Sequence, residues 1–187
     1  MLVAAFARLE KRGIAAPVLV GGAAVELYTG GAIATGDFDF VTPAKDEFFE
    51  ELIALGFERP GFDHATGVSF LANSLLLRKS GMGLQVVSGF LMDGRAERAR
   101  IVFVQLDAGR IPVIPVEDLI ADRMAEAPVS KGEPSKDMQD QCVNLALLAE
   151  GLDLTYLDKR IGEESAGDAS LATLKAWTDD RRHSGRA

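Results

Sequence analysis

At 187 residues the chain is long enough to bury a substantial core, and its length favours one domain with an appended helical part. Hydrophobic residues make up 48% and charged residues 26%, as in an ordinary globular protein, and no apolar run approaches the roughly 20 residues that span a bilayer, so a membrane role is not expected. The net charge of −8 argues against the broad basic surface that duplex DNA binding needs, while leaving room for a local basic pocket that meets phosphates or one end of an RNA.

In chain order, Leu2 to Arg12 reads as a short amphipathic helix, with Leu2, Phe6 and Leu9 at helical spacing and Gly13 as its stop. Met1 to Gly13 has no basic leader ahead of its apolar residues, so no signal peptide is expected. Pro17 to Val20 is a short apolar run closed by Gly21-Gly22, a buried strand entering a tight turn. Ala23 to Tyr28 reads as a small-residue helix ending at Gly30-Gly31. Asp37-Phe38-Asp39-Phe40-Val41 then alternates with period two and stops at Thr42-Pro43, a second strand. Lys45 to Leu55 is a helix with Gly56 as its stop.

Strand segments follow at Ser69 to Leu71, Leu75 to Arg78 and Leu84 to Val87, although helix and strand are hard to separate between Leu71 and Arg78. Ile101 to Leu106 and Arg110 to Ile114 flank Asp107-Ala108-Gly109 as a hairpin. From Val116 the pattern is helical, with helices at Val116–Ala127, Ser135–Glu150, Tyr156–Glu164 and Leu171–Trp177. Ala127 to Pro134 is a polar loop. These elements predict an α+β protein with a sheet-bearing core over residues 1–115, a helical part over 116–178 and a disordered tail over 179–187. Cys142 is the only cysteine, so no internal disulfide can form, and a reducing cytoplasm is the expected location.

The chemistry lies in Val20-Gly21-Gly22 and, fifteen residues after Gly22, Asp37-Phe38-Asp39. On a strand, residues i and i+2 share a face, which sets the two acidic residues roughly 7 Å apart at Cα. Like charges on one face repel unless a cation or a basic partner lies between them. Magnesium prefers few carboxylates together with waters and phosphate oxygens, so an open Asp-x-Asp platform suits it. The Gly21-Gly22 turn leads into a helix whose N–H groups can cradle phosphate with no Cβ in the way. Taken alone, an Asp-x-Asp at a strand end is more often solvated than metal-bound, and a Gly-Gly is usually only a turn. No Gly-Lys-Ser/Thr follows and no Gly-x-Gly-x-x-Gly is present, which excludes a Walker loop and a dinucleotide fingerprint. The combination and order of the parts favour the functional reading.

Val20-Gly21-Gly22-Ala23-Ala24 with Thr35-Gly36-Asp37-Phe38-Asp39-Phe40 resembles the signature of the DNA polymerase β-like nucleotidyltransferase superfamily. Pro115 to Met124 and Lys136 to Gln141 are similar to the helical part of its AbiEii-type toxins and their bacterial relatives. The resemblance spans about residues 15 to 165, and only the first motif is specific. It implies a nucleotidyltransferase-like mixed β-sheet packed by helices with a C-terminal helical part. It also implies magnesium, a nucleoside triphosphate as substrate, and transfer of a nucleotidyl group to an RNA, protein or small-molecule hydroxyl. Among toxin relatives an antitoxin partner is implied as well.

Carried over, Asp37 and Asp39 are the catalytic, metal-binding pair, and Gly21, Gly22 and Thr35 line the triphosphate. Arg123 and Lys136 contact phosphate or, on the alternative reading, belong to solvated helix faces. Asp137 or Asp140 falls near a later acidic position of the relatives. One departure matters. The superfamily adds a third carboxylate from a neighbouring strand, and the polar in-register residue here is Gln85. Either Asp93 or another carboxylate substitutes, or the protein is a degenerate relative that binds nucleotide or a partner without turnover. His64 lies in a loop and is expected to be incidental, and Cys142 and Trp177 are expected to pack.

Overall fold

The computed structural model describes residues 1–33, 36–60, 73–127 and 135–184. Thr35, His64, the expected strand at Ser69 to Leu71 and residues 128–134 of the polar loop lie outside these. Two compact units emerge: residues 1–23 with 34–114, and residues 24–33 with 115–187.

The first unit is built on a mixed sheet. Its strands are β1 (Val18–Val20), β2 (Asp37–Val41), β3 (Ser74–Leu77), β4 (Met82–Ser88), β5 (Val102–Leu106) and β6 (Gly109–Val113). They lie in the order β3-β4-β2-β1-β6-β5. β1 runs antiparallel to β2 and parallel to β6, β2 runs parallel to β4, and the outer pairs β3–β4 and β5–β6 are antiparallel. The short central strand Val18-Leu19-Val20 is buried throughout, as its continuous apolar run demands.

Helices α1 (Leu2–Lys11) and α3 (Lys45–Ile53) cover one face through an aromatic cluster. The Phe6 ring lies 5.8 Å from those of Phe40 and Phe48, and the latter two are 5.4 Å apart. Phe40 and Phe48 are fully buried, and truncating such a ring costs about 3–5 kcal/mol. This cluster anchors β2. Because side chains alternate along a strand, fixing Phe40 against the helices turns Asp37 and Asp39 to the opposite face.

Helix α2 runs from Gly21 to Tyr28, two residues earlier than the sequence suggests, and residues 24–33 group with the helical unit although the sequence places them with the sheet. That unit also holds α4 (Val116–Glu126), α5 (Lys136–Leu148), α6 (Leu154–Glu164) and α7 (Leu171–Ser184). It is centred on a buried polar network. Arg160, fully buried on α6, donates from Nε to Asp118 of α4 at 2.5 Å and from its remaining nitrogens to Glu163 and Glu164. Tyr156 Oη donates to the same Asp118 at 3.0 Å.

The last helix extends past Trp177 to Ser184, so most of the stretch expected as a disordered tail is helical. An Arg181–Asp140 ion pair ties it to α5, and Arg181, Arg182 and His183 in its final turn suit the negative end of the helix dipole. Among the described residues no helix is long and apolar enough to cross a membrane.

Candidate nucleotide and cation site

The acid pair stands at the head of β2. Asp37 is exposed and Asp39 half-buried, and Phe38 between them faces the other way. Val20 of β1 is the register partner of Asp39, so the residue that follows it, Gly21, begins α2 beside the Asp39 side chain.

Gly21 has φ +64°, and a Cβ placed on it would overlap Asp39 Oδ2 and stand 3.0 Å from the Asp39 Cβ and Cγ. Only glycine satisfies both the left-handed backbone and this close approach. On the other side of β2, Gly83 of β4 is the partner of Asp37, and a Cβ there would overlap Asp37 Oδ1. Each carboxylate therefore rests in a space that a neighbouring glycine leaves open. The Asp39 carboxylate meets the first residue of α2, where the positive end of the helix dipole favours negative charge.

Two oxygen-bearing acids on one face, one of them exposed, suit a hard divalent cation that keeps several waters. The donors fit magnesium in type and in openness. Beside them, Gln85 of β4 is in register with Asp39, and Ser74 of β3 is in register with Gln85, so a polar row Asp39–Gln85–Ser74 crosses three strands on the acidic face. The position expected to carry a third carboxylate is thus neutral. Asp93 lies beyond the end of β4, in a turn at Leu91–Gly94 where its φ is +51°, and not on the strand itself. Among the described residues no three His, Cys, Asp or Glu side chains form a group able to hold a metal ion.

The remaining site residues named from the sequence belong to the helical unit. Arg123 is buried on α4 and its Nη1 pairs with Asp122 at 3.3 Å and with Glu126 at 2.5 Å, while its Nε is buried with no hydrogen-bond partner among the described residues. Its charge is already balanced on its own helix. Lys136 opens α5 and is exposed, as is Asp137, whereas Asp140 is engaged by Arg181. Gly83 was not anticipated from the sequence. A glycine inside a strand is a signal of close approach, but only the β2–β4 register shows what approaches it.

A crystal structure of an antigenic nucleotidyltransferase-like protein from Paracoccidioides brasiliensis superposes with a TM-score of 0.58 over 95% of this chain and 90% of that one, at 15% identity. The solution structure of the antibiotic-resistance factor ANT(2'')-Ia does so with a TM-score of 0.51 over 100% and 96%, at 12% identity. The fold is nucleotidyltransferase-like. No family model matches the sequence, and no curated protein matches it in sequence. At such identities the likeness speaks for the fold alone.

Proposed function

We propose that the protein is a nucleotidyltransferase that uses a nucleoside triphosphate and magnesium and passes a nucleotidyl group to a hydroxyl of an RNA, a protein or a small molecule. The observation that carries this reading is the pairing of Asp37 and Asp39 on one face at the head of β2, each carboxylate lodged against a glycine, in a fold of nucleotidyltransferase type. Asp37 and Asp39 are the residues that would hold the cation. A magnesium ion bound there supplies neutralisation of phosphate charge and activation of the incoming oxygen. The Gly21-Gly22 amides at the start of α2 receive phosphate oxygens, with no side chain to block the approach. Thr35 adds a phosphate contact on the strength of the sequence resemblance.

The direct test is transfer of label from α-labelled triphosphates to candidate acceptors, with and without magnesium. Asp39→Asn should abolish the transfer. Undiminished transfer by that variant would remove Asp39 from the cation site and the reading with it.

A second reading is favoured by Gln85, which puts a neutral amide beside Asp39. On that reading the protein binds nucleotide, or a partner, without turnover. A magnesium-dependent rise in melting temperature with ATP, CTP, GTP or UTP, unaccompanied by labelled product, would select it. The toxin form of the first reading, acting in the cytoplasm with an antitoxin partner, predicts growth arrest on expression that Asp39→Asn relieves. Unimpaired growth would count against it.

A further inference from the structure

Among the described residues β5 is an edge of the sheet, with unusual composition for that place. It reads Val-Phe-Val-Gln-Leu, with no charge, no proline and no shift in its register with β6. Edge strands are normally blunted by lysine, proline or a bulge. Instead Val102, Phe103 and Leu106 are 40%, 52% and 38% exposed, and they fall on both faces. The opposite edge is not open in this way, because β3 exchanges two hydrogen bonds of 2.9 Å with Glu58 through Leu76.

The hairpin sets which groups β5 has to offer. Leu106 and Gly109 close a two-residue turn, and such a closing pair exchanges both its backbone bonds. Alternation then turns Val102, Val104 and Leu106 toward β6, and leaves the N–H and C=O groups of Phe103 and Gln105 pointing outward. Pro112, which has no N–H to give, stands opposite Phe103, in agreement with this phase.

We propose that β5 pairs antiparallel with β5 of a second copy of the chain, about a two-fold axis through Val104, joining two sheets into one. In this register Phe103 of each copy faces Gln105 of the other, so outward donors meet outward acceptors. Val102 falls opposite Leu106, and Val104 opposite itself, making a continuous apolar stripe. The stripe is on the side that carries α1, since Val3 packs against Gly109 there. The two β6 strands would be three strand spacings apart, about 14 Å. That exceeds a helix diameter of about 10–12 Å and leaves each α1 room beside its copy. Charge agrees as well: Asp107 of one copy is set beside the Arg98–Arg100 turn that leads into β5 of the other. Arg98 has no ion-pair partner among the described residues. Two-fold pairing uses up both open edges, whereas a head-to-tail contact would propagate.

The test is sedimentation equilibrium of the full chain from micromolar to near-millimolar concentration, which should show reversible association to twice the monomer mass. A chain that stays monomeric throughout overturns the proposal. Val104→Lys and Val104→Glu each set like charges across the axis and should be monomeric alone, while an equimolar mixture should regain the dimer. A mixture that remains monomeric, with both variants melting cooperatively, overturns the Val104-centred register. Gln105→Pro removes an outward N–H and leaves the bonds to β6 intact, so it too should be monomeric. A dimeric Gln105→Pro protein would equally exclude pairing through this edge.

Discussion

Asp39 Oδ2 occupies the space that a side chain on Gly21 would need, and Gly21 holds a left-handed backbone at the first residue of α2. Gly21→Ala therefore meets two penalties. A non-glycine residue at positive φ costs roughly 1–2 kcal/mol, and the new methyl must also displace the Asp39 carboxylate. The expected result is a lower melting temperature together with loss of any magnesium-dependent nucleotide shift. Gly83→Ala is the instructive contrast. Its backbone is ordinary, and the overlapping atom is the end of the exposed Asp37 side chain, which can swing aside. Stability should fall less there than in Gly21→Ala, while the cation-dependent shift weakens. Equal losses of stability in the two variants would contradict this account of the pair.

Gln85 offers the cleanest way to tell transfer from mere binding. Gln85→Glu places a third carboxylate in register with Asp39. If the neutral residue is what limits chemistry, transfer should rise by about 10²-fold or more, the typical lower range for an added general base. Magnesium should also be bound more tightly. A variant that gains metal affinity but no product would show that the acceptor or the triphosphate is not positioned for reaction. Rapid transfer by the unmodified chain, left unchanged by Gln85→Glu, would show that no third acid at this position is needed.

Much of this region is legible in the sequence because it depends on local rules. The alternation of Asp37 to Val41 gives the strand and the shared face of the acids, and the Gly21-Gly22 pair marks the turn into α2. What is hidden depends on neighbours far away in the chain. That Gly83 lies under Asp37, and Gln85 beside Asp39, follows from the pairing of β2 with β4, which no local pattern encodes. The charged stretch after Trp177 looks like a tail, yet it continues α7 as helix, with Arg181 paired to Asp140 of α5 far away in the chain. Residues 24–33 carry no local mark of their grouping with the helical unit.

Within that unit, Asp118 and Arg160 form a fully buried pair, 2.5 Å from Oδ1 to Nε. Burial pushes the Asp118 carboxyl up, and the bonds from Arg160 and Tyr156 pull it back. Removing one partner strands the other in a dry interior. Arg160→Met should therefore cost about 3–5 kcal/mol, read by denaturant unfolding. Asp118→Leu combined with Arg160→Met should recover a large part of that loss, since apolar replacement of a whole buried pair is often neutral. A double variant no more stable than Arg160→Met alone would show that Glu163, Glu164 and Tyr156 are the interactions that matter.

Asp122 supplies a pH signature. Burial raises its carboxyl to about 6, against the pull of Arg123 and with help from Glu126 and Glu164. A raised carboxyl pKa means that the folded state holds its proton more tightly than the unfolded chain does. The contribution to stability is then fully present below the unfolded value near 4 and is lost as pH rises through about 6. By linkage the loss is on the order of 2–3 kcal/mol. Unfolding measured across that window should show stability falling as pH rises. Asp122→Asn, which cannot titrate, should flatten the slope, and an unaltered slope would assign the effect to other groups.

Cys142 is buried on α5, its Sγ directed at the Ile120 carbonyl 3.9 Å away. Burial pushes its thiol up to about 12. Since the thiolate is the reactive form, Cys142 should not act as a nucleophile and should resist thiol reagents while the chain is folded. Labelling should instead wait on opening of the helical unit. Its rate should be slow in water, rise steeply with urea, and approach that of a free thiol above the unfolding midpoint. Destabilising the unit by Arg160→Met should accelerate labelling at constant pH, because the same opening exposes the sulfur. Rapid modification of the intact protein, insensitive to both urea and Arg160→Met, would place Cys142 at an accessible surface and contradict its packing against α4.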